Sequence, residues 1–263
     1  MTPGLAQAYL VCATPRSGST LLCELLRDTG RAGRPLEHFE ILRHSNLPRQ
    51  PREYFTTIDA PGVLSLLPPL ERGAPGGEPA DAWWRRIARE GATDNGVWGA
   101  KIMWGHVPDF LARVRELPGC AGADLDGALR ALLGDPELVF ITRTDKVAQA
   151  VSLWRAVQTQ SWRSEATTER VTPVYDFLAI DHLIAGIEAD EAAWAGWFRQ
   201  TGRRPLTLRY DDIEADPPGD AATVLRSLGL SDRDIPAPGL RRQRDELSSG
   251  WAQRYRSERE RAA

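Results

Sequence analysis

The segment from Tyr9 to Glu37 constrains the fold and the chemistry of this chain more than any other. Its pattern predicts a buried strand over Tyr9–Ala13, a tight polar loop over Thr14–Ser19, and a helix that begins near Thr20. The first N–H groups of a helix have no intrahelical partner and lie at the positive end of its dipole. The segment therefore predicts an anion site, and we call residues 14–19 the anion loop.

The side chains around the anion loop suit a phosphate or sulfate group. Arg16 carries a fixed positive charge, and Gly18 lets the backbone approach a ligand closely. Three hydroxyl side chains add hydrogen-bond donors. The predicted anion-binding residues are Pro15, Arg16, Ser17, Gly18, Ser19 and Thr20.

A nucleoside-triphosphate loop would have the pattern G-x-x-x-x-G-K-[ST]. Here Ala13 stands at the first glycine position and Ser19 at the lysine position. Because that lysine normally reaches the terminal phosphates, its replacement argues against a small-molecule kinase. An ordinary strand-turn-helix with a polar turn and no ligand is the other alternative.

Length and composition favour one α/β domain over residues 1–263 and exclude several classes of function. The net charge of −3 argues against a nucleic-acid partner. No run approaches 18 apolar residues, so we expect no membrane span, no secretory signal and a cytoplasmic protein. The cysteines show no CxxC spacing and, with four histidines, no zinc pattern, so we expect core thiols and no metal site.

Three further strands are predicted over Gly96–Trp104, Leu138–Thr142 and Leu206–Tyr210. Segments with helical periodicity alternate with them, which predicts a mostly parallel central sheet flanked by helices. In such sheets ligands bind at the carboxyl ends of the strands. The predicted later helices are Asp81–Glu90, Pro108–Leu117, Ala128–Leu133, Asp145–Thr159, Val174–Gln200 and Gly219–Leu228.

The PRSGST loop resembles the 5′-phosphosulfate loop of sulfotransferases, which use 3′-phosphoadenylyl sulfate (PAPS) as donor. Several blocks resemble the bacterial trehalose 2-sulfotransferase family in the expected order along the chain. They are CATPRSGSTLLCELLRDTGRAGRPLEHF, GVWGAKIMW, ITRTDKVAQAVSLWRA, LRYDDIEADP and LRRQRDELSSGWAQRYR. The resemblance implies a P-loop-like sulfotransferase fold, the product 3′,5′-ADP (PAP), a sugar acceptor with trehalose first, and no metal.

The resemblance also implies residues that hold the 3′-phosphate of the donor. An arginine at a strand end and a serine on the next helix have this role in sulfotransferases, which here indicates Arg143 and Ser152. Their spacing of nine positions is one longer than the eukaryotic cytosolic pattern. A C-terminal basic cluster that contains Arg241 and Arg242 is expected to close over the nucleotide.

Glu37 is the candidate general base, because a glutamate has this role in the trehalose family and Glu37 lies in its RPLEHF block. His38 is the main competitor, since cytosolic animal sulfotransferases use a histidine. Glu40 and His106 are further alternatives. Arg16 is also expected to counter the negative charge that grows on the leaving oxygen.

Arg34, Lys101 and Trp104 are predicted to contact the acceptor together with Glu37. Residues from about 40 to 95 and from 158 to 172 are expected to form a cap on the acceptor side. Their polar character favours a soluble sugar, but a natural-product or glycolipid hydroxyl is the alternative acceptor. A non-catalytic nucleotide-binding protein is the alternative from another class.

A homodimer is expected from the family resemblance. The long helix predicted over Val174–Gln200 carries tryptophan and phenylalanine side chains that would suit a symmetric interface. Packing of the same side chains in the core would produce the same pattern.

Overall fold

Four parallel strands form the central sheet of the computed structural model, which describes residues 4–40, 46–74, 76–162, 171–237 and 246–262. The strands are β1 (Gln7–Ala13), β2 (Val97–Met103), β3 (Glu137–Thr142) and β4 (Leu206–Arg209). Their order across the sheet is β2-β1-β3-β4. All four lie where the sequence predicts strands, and the predicted parallel α/β architecture is confirmed.

Helices connect and cover the strands. They are α1 (Ser19–Asp28), α2 (Pro61–Ser65), α3 (Ala80–Glu90), α4 (Val107–Val114), α5 (Leu125–Leu133), α6 (Lys146–Thr159), α7 (Phe177–Thr201), α8 (Tyr210–Ala215), α9 (Pro217–Ser227) and α10 (Glu246–Ala262). Short 3₁₀ helices span Pro51–Phe55 and Trp104–His106. The sequence predicts seven of these helices near their observed bounds and misses α2, α8 and α10.

The order of the strands creates a crevice between β1 and β3. The chain passes from β1 through α1 to β2 on one side, whereas β3 pairs with the other side of β1. Because all strands are parallel, their carboxyl ends meet at one edge, and the loops after β1 and β3 diverge there. This reversal is the place where open α/β sheets bind ligands.

Alternating residues of β1 face two different helical layers. Tyr9, Val11 and Ala13 pack against α1 and α9. Leu10 and Cys12 pack against α3, α4, α5 and the C-terminal part of α7. Both faces of the strand are therefore buried, which explains its continuous apolar run.

A third apolar cluster lies beside the sheet. Its largest fully buried members include Trp154 on α6, Tyr255 on α10 and Phe55, and it also contains the N-terminal half of α7. This cluster fixes α6 and α10 beside the loops at the carboxyl end of the sheet.

The aromatic part of α7 is core rather than interface. Trp194, Trp197 and Phe198 are buried against the sheet and its helices. They are therefore not the exposed dimer surface that the sequence suggested as one possibility. The three cysteines are buried and form no disulfide, as expected for core thiols. Within the described ranges, no helix is long and apolar enough to cross a membrane.

Candidate active site

A cavity of about 840 Å³ opens at the carboxyl ends of the strands. It is lined by the anion loop, the end of β2, the segment after β3, α6 and the first turns of α10. The structure brings together in its wall most of the side chains that the sequence singles out. These are Pro15, Arg16, Gly18, Ser19, Thr20, Glu37, Lys101, Arg143 and Ser152.

The anion loop turns sharply because two of its residues adopt left-handed backbone angles. Arg16 has φ 62°, and Gly18 has φ 87° directly before α1. A Cβ atom on Gly18 would lie 2.7 Å from Cδ2 of Tyr210, so the position also lacks room for a side chain. The loop consequently begins α1 with its first backbone N–H groups beside the cavity.

The Arg16 side chain connects the anion loop to α6. Its Nε donates to the Ser152 hydroxyl at 2.9 Å, and its Nη1 donates to the Trp162 carbonyl at 2.9 Å. Arg143 donates from Nη1 to the Arg16 carbonyl at 3.1 Å. Arg143 and Ser152, predicted as a pair, thus both contact Arg16.

Positive charge is concentrated at this end of the cavity. The pKa of Arg16 is lowered to about 10, first by burial and then by repulsion from the guanidinium groups of Arg143 and Arg155. Arg16 therefore stays charged at neutral pH, and a bound anion would offset the repulsion.

The Ser17 hydroxyl is a second feature of the anion loop that suits a phosphosulfate group. Ser17 is fully buried, and its hydroxyl has no hydrogen-bond partner among the residues that the structure describes. A buried hydroxyl without a partner is costly. A ligand oxygen in the loop would supply such a partner.

Two residues of this region, Tyr210 and Gln149, were not predicted from the sequence. Tyr210 follows β4, stacks under the Arg143 guanidinium at 4.1 Å and covers Gly18. Gln149 on α6 donates from Nε2 to the Thr14 hydroxyl at 2.9 Å and to the Pro15 carbonyl at 2.8 Å. Both lie inside blocks that resemble the family, which is the only signal that pointed to their segments.

Glu37 reaches the cavity through backbone pairing with β2. A parallel bridge joins Leu36 to Ala100, and the Lys101 N–H donates to the Leu36 carbonyl at 2.9 Å. This pairing places Glu37 beside Lys101, whose Nζ lies 2.7 Å from Glu37 Oε1 and donates to the Thr20 hydroxyl at 3.0 Å. The buried ammonium of Lys101 joins the carboxylate to the start of α1.

The alternatives to Glu37 as the base are placed differently. His38 does not line the cavity, because its ring stacks on Trp98 and its Nε2 contacts the Arg34 carbonyl at 3.0 Å. Glu40 and His106 do line it. Burial lowers the pKa of His106, which makes its imidazole neutral at pH 7. The role of Glu37 as the base stays a prediction.

Among the described residues, three predicted site residues do not line the cavity: Ser17, Arg34 and Trp104. Arg34 is exposed and points to the Glu90 carbonyl at 3.5 Å, because its backbone pairs with Gly91 on the outer side of β2. Trp104 is partly buried and packs edge-on against the core residue Trp194 at 4.9 Å. The geometry supports neither as an acceptor contact. Arg241 and Arg242 lie outside the described residues.

The cavity wall next to Arg16 also contains aromatic and charged side chains. Tyr54 and Trp162 stack with ring centroids 6.2 Å apart, and Arg49 lies over the Tyr54 ring at 4.0 Å. Burial raises the pKa of the Asp190 carboxyl in the same wall. Tyr54 and Trp162 fall in the two segments predicted as the acceptor cap, of which residues 41–45, 75 and 163–170 are not described.

Helix α10 completes the cavity wall beside α6. Ser248 accepts from Arg155 Nη1 at 2.5 Å, and Arg256 binds both carboxylate oxygens of Asp145 at 2.7 and 2.9 Å. Over the described part of the chain, no group of three or more His, Cys, Asp or Glu side chains is arranged to hold a metal ion.

Comparisons with known proteins agree with this geometry. The family model described as Stf0 sulphotransferase matches residues 8–258. A trehalose 2-sulfotransferase of Mycolicibacterium smegmatis is 42% identical over 97% of this chain and 96% of its own. A trehalose 2-sulfotransferase of Mycobacterium tuberculosis is 41% identical over 95% of this chain and 94% of its own.

A solved sulfotransferase structure from Alicyclobacillus acidocaldarius covers 95% of this chain and 93% of its own, with 14% identity and a TM-score of 0.48. That likeness is too loose to add to the assignment. The family match and the two relatives span nearly the whole chain, including the anion loop, Glu37, Lys101 and Arg143. This chain therefore belongs to the Stf0 sulphotransferase family and is a sulfotransferase.

Proposed function

We propose that this enzyme transfers the sulfuryl group of PAPS to the 2-hydroxyl of trehalose. The observation that carries the proposal is the similarity, over nearly the full chain, to two proteins named trehalose 2-sulfotransferase. The cavity supports it, since guanidinium groups lie beside the anion loop, and aromatic rings with polar side chains lie next to them.

The anion loop would hold the 5′-phosphosulfate end of the donor, and Arg143 with Ser152 would hold its 3′-phosphate. Bound there, PAPS supplies a sulfuryl group that the acceptor oxygen attacks in line, with PAP as the leaving group. Arg16 suits the role of stabilising the leaving group, because its partly buried charge lies between the loop and Ser152. A fixed charge in a partly buried site stabilises the negative charge of a leaving oxygen better than a solvated one.

Glu37 would take the proton from the attacking hydroxyl. Its contact with Lys101 orients the carboxylate, and the contact of Lys101 with Thr20 places that carboxylate beside the anion loop. The base and the donor site are thus held at a defined separation before the acceptor binds, which is what efficient proton transfer needs.

The sugar would lie against the stacked rings of Tyr54 and Trp162. Aromatic faces bind the apolar faces of sugar rings, and Arg49 and Asp190 offer hydrogen bonds to hydroxyls. A glycolipid would need a larger apolar wall. The charged lining of this cavity therefore favours a free sugar.

The test is incubation of the purified enzyme with PAPS and trehalose, followed by mass spectrometry and NMR of the product. We expect trehalose bearing one sulfate at the 2-position, with one PAP released per sulfate. Maltose and sucrose serve as control disaccharides, and ATP with Mg²⁺ as control donor. Sulfation of another acceptor instead of trehalose would refute the acceptor, and transfer from ATP would refute the donor.

The proposal also includes a cytoplasmic homodimer. A reducing compartment is supported by three buried cysteines that form no disulfide. The dimer is proposed from family membership, and its interface must lie away from the buried aromatic part of α7. Sedimentation equilibrium would give about twice the mass of the chain for a dimer, and the mass of one chain would refute it.

A further inference from the structure

Gln149 is a fully buried side chain that ties α6 to the anion loop. Its amide nitrogen donates two hydrogen bonds, to the hydroxyl of Thr14 at 2.9 Å and to the carbonyl of Pro15 at 2.8 Å. Thr14 is also fully buried. These contacts fix the backbone of the loop immediately before Arg16.

The backbone at Arg16 needs such a support. Its φ of 62° lies in the left-handed region, which side chains other than glycine rarely adopt. A conformation of this kind persists where the surroundings hold it. Gln149 holds the residues before Arg16, and Arg143 binds the Arg16 carbonyl at 3.1 Å.

Gln149 differs from the other supports because it does not line the cavity. Arg143 and Ser152 both line it and are proposed donor contacts, so their substitution changes ligand binding directly. Gln149 lies one helical turn before Ser152, behind the loop. Its substitution leaves every proposed ligand contact chemically intact.

The amide nitrogen and the amide oxygen of Gln149 differ in their hydrogen bonding, so a substitution can distinguish positioning of the loop from packing of the side chain. Both amide hydrogens are used, whereas Oε1 is buried and has no hydrogen-bond partner within the described residues. A buried acceptor without a partner is destabilising. Methionine, which has nearly the same length, would therefore fill the space without that cost, and only the two donors require an amide.

We infer that Gln149 is a positioning residue that sets the shape of the anion loop, so that Arg16 and the start of α1 face the donor anion. The inference rests on the proposed function, since the donor is the ligand whose binding it affects. It adds a residue that acts through the loop rather than by touching PAPS.

The test compares Gln149→Met with Gln158→Met by calorimetric titration with PAP. Gln158 is a matched control, because it is a buried glutamine on the same helix whose amide binds the backbone of Val174 instead of the loop. We expect Gln149→Met to raise the dissociation constant for PAP about tenfold, as loss of two buried hydrogen bonds allows. Gln158→Met should leave it unchanged.

Kinetics separate this role from a merely structural one. In Gln149→Met the KM for PAPS should rise while the KM for trehalose stays within about twofold. Thr14→Val removes one of the two acceptors with almost no change of shape, so it should raise the PAP dissociation constant in the same direction by a smaller factor. It also keeps the inference testable if Gln149→Met fails to fold.

Wild-type PAP affinity in folded Gln149→Met and Thr14→Val would overturn the role of Gln149 and leave the proposed function standing. An equal loss in Gln158→Met would also overturn it, because the effect would then come from α6 as a whole. Failure of the wild-type chain to bind PAP would overturn the donor assignment and this inference together.

Discussion

The ammonium group of Lys101 contacts Glu37 at 2.7 Å and Thr20 at 3.0 Å, so it links the carboxylate that we propose as the base to the start of α1. Glu37→Gln keeps the shape and the contact to Lys101 but removes the proton acceptor. We expect kcat to fall about 10²–10⁴-fold while the affinity for PAP changes little. Steady-state kinetics and PAP titration measure the two quantities.

Glu40→Gln is the matched control, since Glu40 lines the same cavity three residues along the chain. It should keep most of the wild-type kcat. Near-normal turnover in Glu37→Gln together with a large loss in Glu40→Gln or His106→Gln would assign the base to one of those residues.

His106 gives the stability of the protein a dependence on pH. Burial lowers its pKa in the folded state, whereas the unfolded chain has a value near 6.5. Below about pH 6.5 the unfolded state therefore binds a proton that the folded state does not, and the free energy of unfolding falls as the pH falls toward the folded pKa. The slope is at most about 1.4 kcal/mol per pH unit for this group.

His106→Gln removes that titration, so its free energy of unfolding should fall less steeply between pH 7 and pH 5 than that of the wild type. Urea unfolding at several pH values measures the slope. Burial lowers the pKa of His38 as well, so part of the wild-type slope should persist in the variant. An unchanged slope in His106→Gln would contradict the burial of a neutral imidazole at this position.

At the scale of elements, the junction of the anion loop with α1 depends on Gly18. Gly30 beyond the other end of α1 also has a positive φ, 69° against 87° for Gly18, but it has open space where a Cβ would lie. A Cβ on Gly18 would lie 2.7 Å from the Tyr210 ring. An alanine at either position would therefore have a strained backbone, but only an alanine at position 18 would also collide with a neighbouring side chain.

Gly30→Ala should cost about 1 kcal/mol of unfolding free energy and leave PAP binding intact. Gly18→Ala should cost more and should weaken PAP binding at least about tenfold, because displacement of Tyr210 disturbs its stack on Arg143. Chemical unfolding and calorimetry measure both effects. Equal effects of the two substitutions would mean that Tyr210 yields freely.

The elements that could be predicted from sequence are those with a local signal. The strands β1, β2 and β3 are mainly apolar runs between polar turns, and β4 alternates apolar with polar residues, so all four strands were predicted. Helix α10 was missed because its buried stripe, Trp251, Ala252 and Tyr255, is narrow within a strongly charged segment. Its packing against α6 becomes visible only in three dimensions.

The site was predictable to the extent that its residues lie at strand ends. Arg16, Lys101 and Arg143 lie at or near the carboxyl ends of three neighbouring parallel strands, so topology brings them together. Arg34 and Trp104 were expected at the cavity because they lie close in sequence to Glu37 and Lys101. The backbone bridge at Leu36 and the turn after β2 direct their side chains elsewhere. Gln149 acts on a segment more than a hundred residues away, which no local pattern reveals.

At the scale of the whole molecule, the chain carries a net charge of −3, yet three arginines, Arg16, Arg143 and Arg155, lie close together beside the anion loop. Mutual repulsion of these partly buried guanidinium groups opposes folding, so an anion that pairs with them should stabilise the folded state as a whole. The stability of the enzyme and its affinity for the donor product are thus linked.

PAP should therefore raise the melting temperature more than AMP, which lacks the 3′-phosphate. At a PAP concentration of about 100 times its dissociation constant, the stabilisation is about 2.7 kcal/mol, which corresponds to a rise of about 5–10 °C. Differential scanning fluorimetry with matched concentrations of PAP, AMP and ATP measures this. Arg143→Ala should abolish the advantage of PAP over AMP while keeping a small shift from the phosphate at the anion loop. Equal shifts by PAP and AMP in the wild type would show that the 3′-phosphate has no site of its own, and that Arg143 acts on the loop through the Arg16 carbonyl alone.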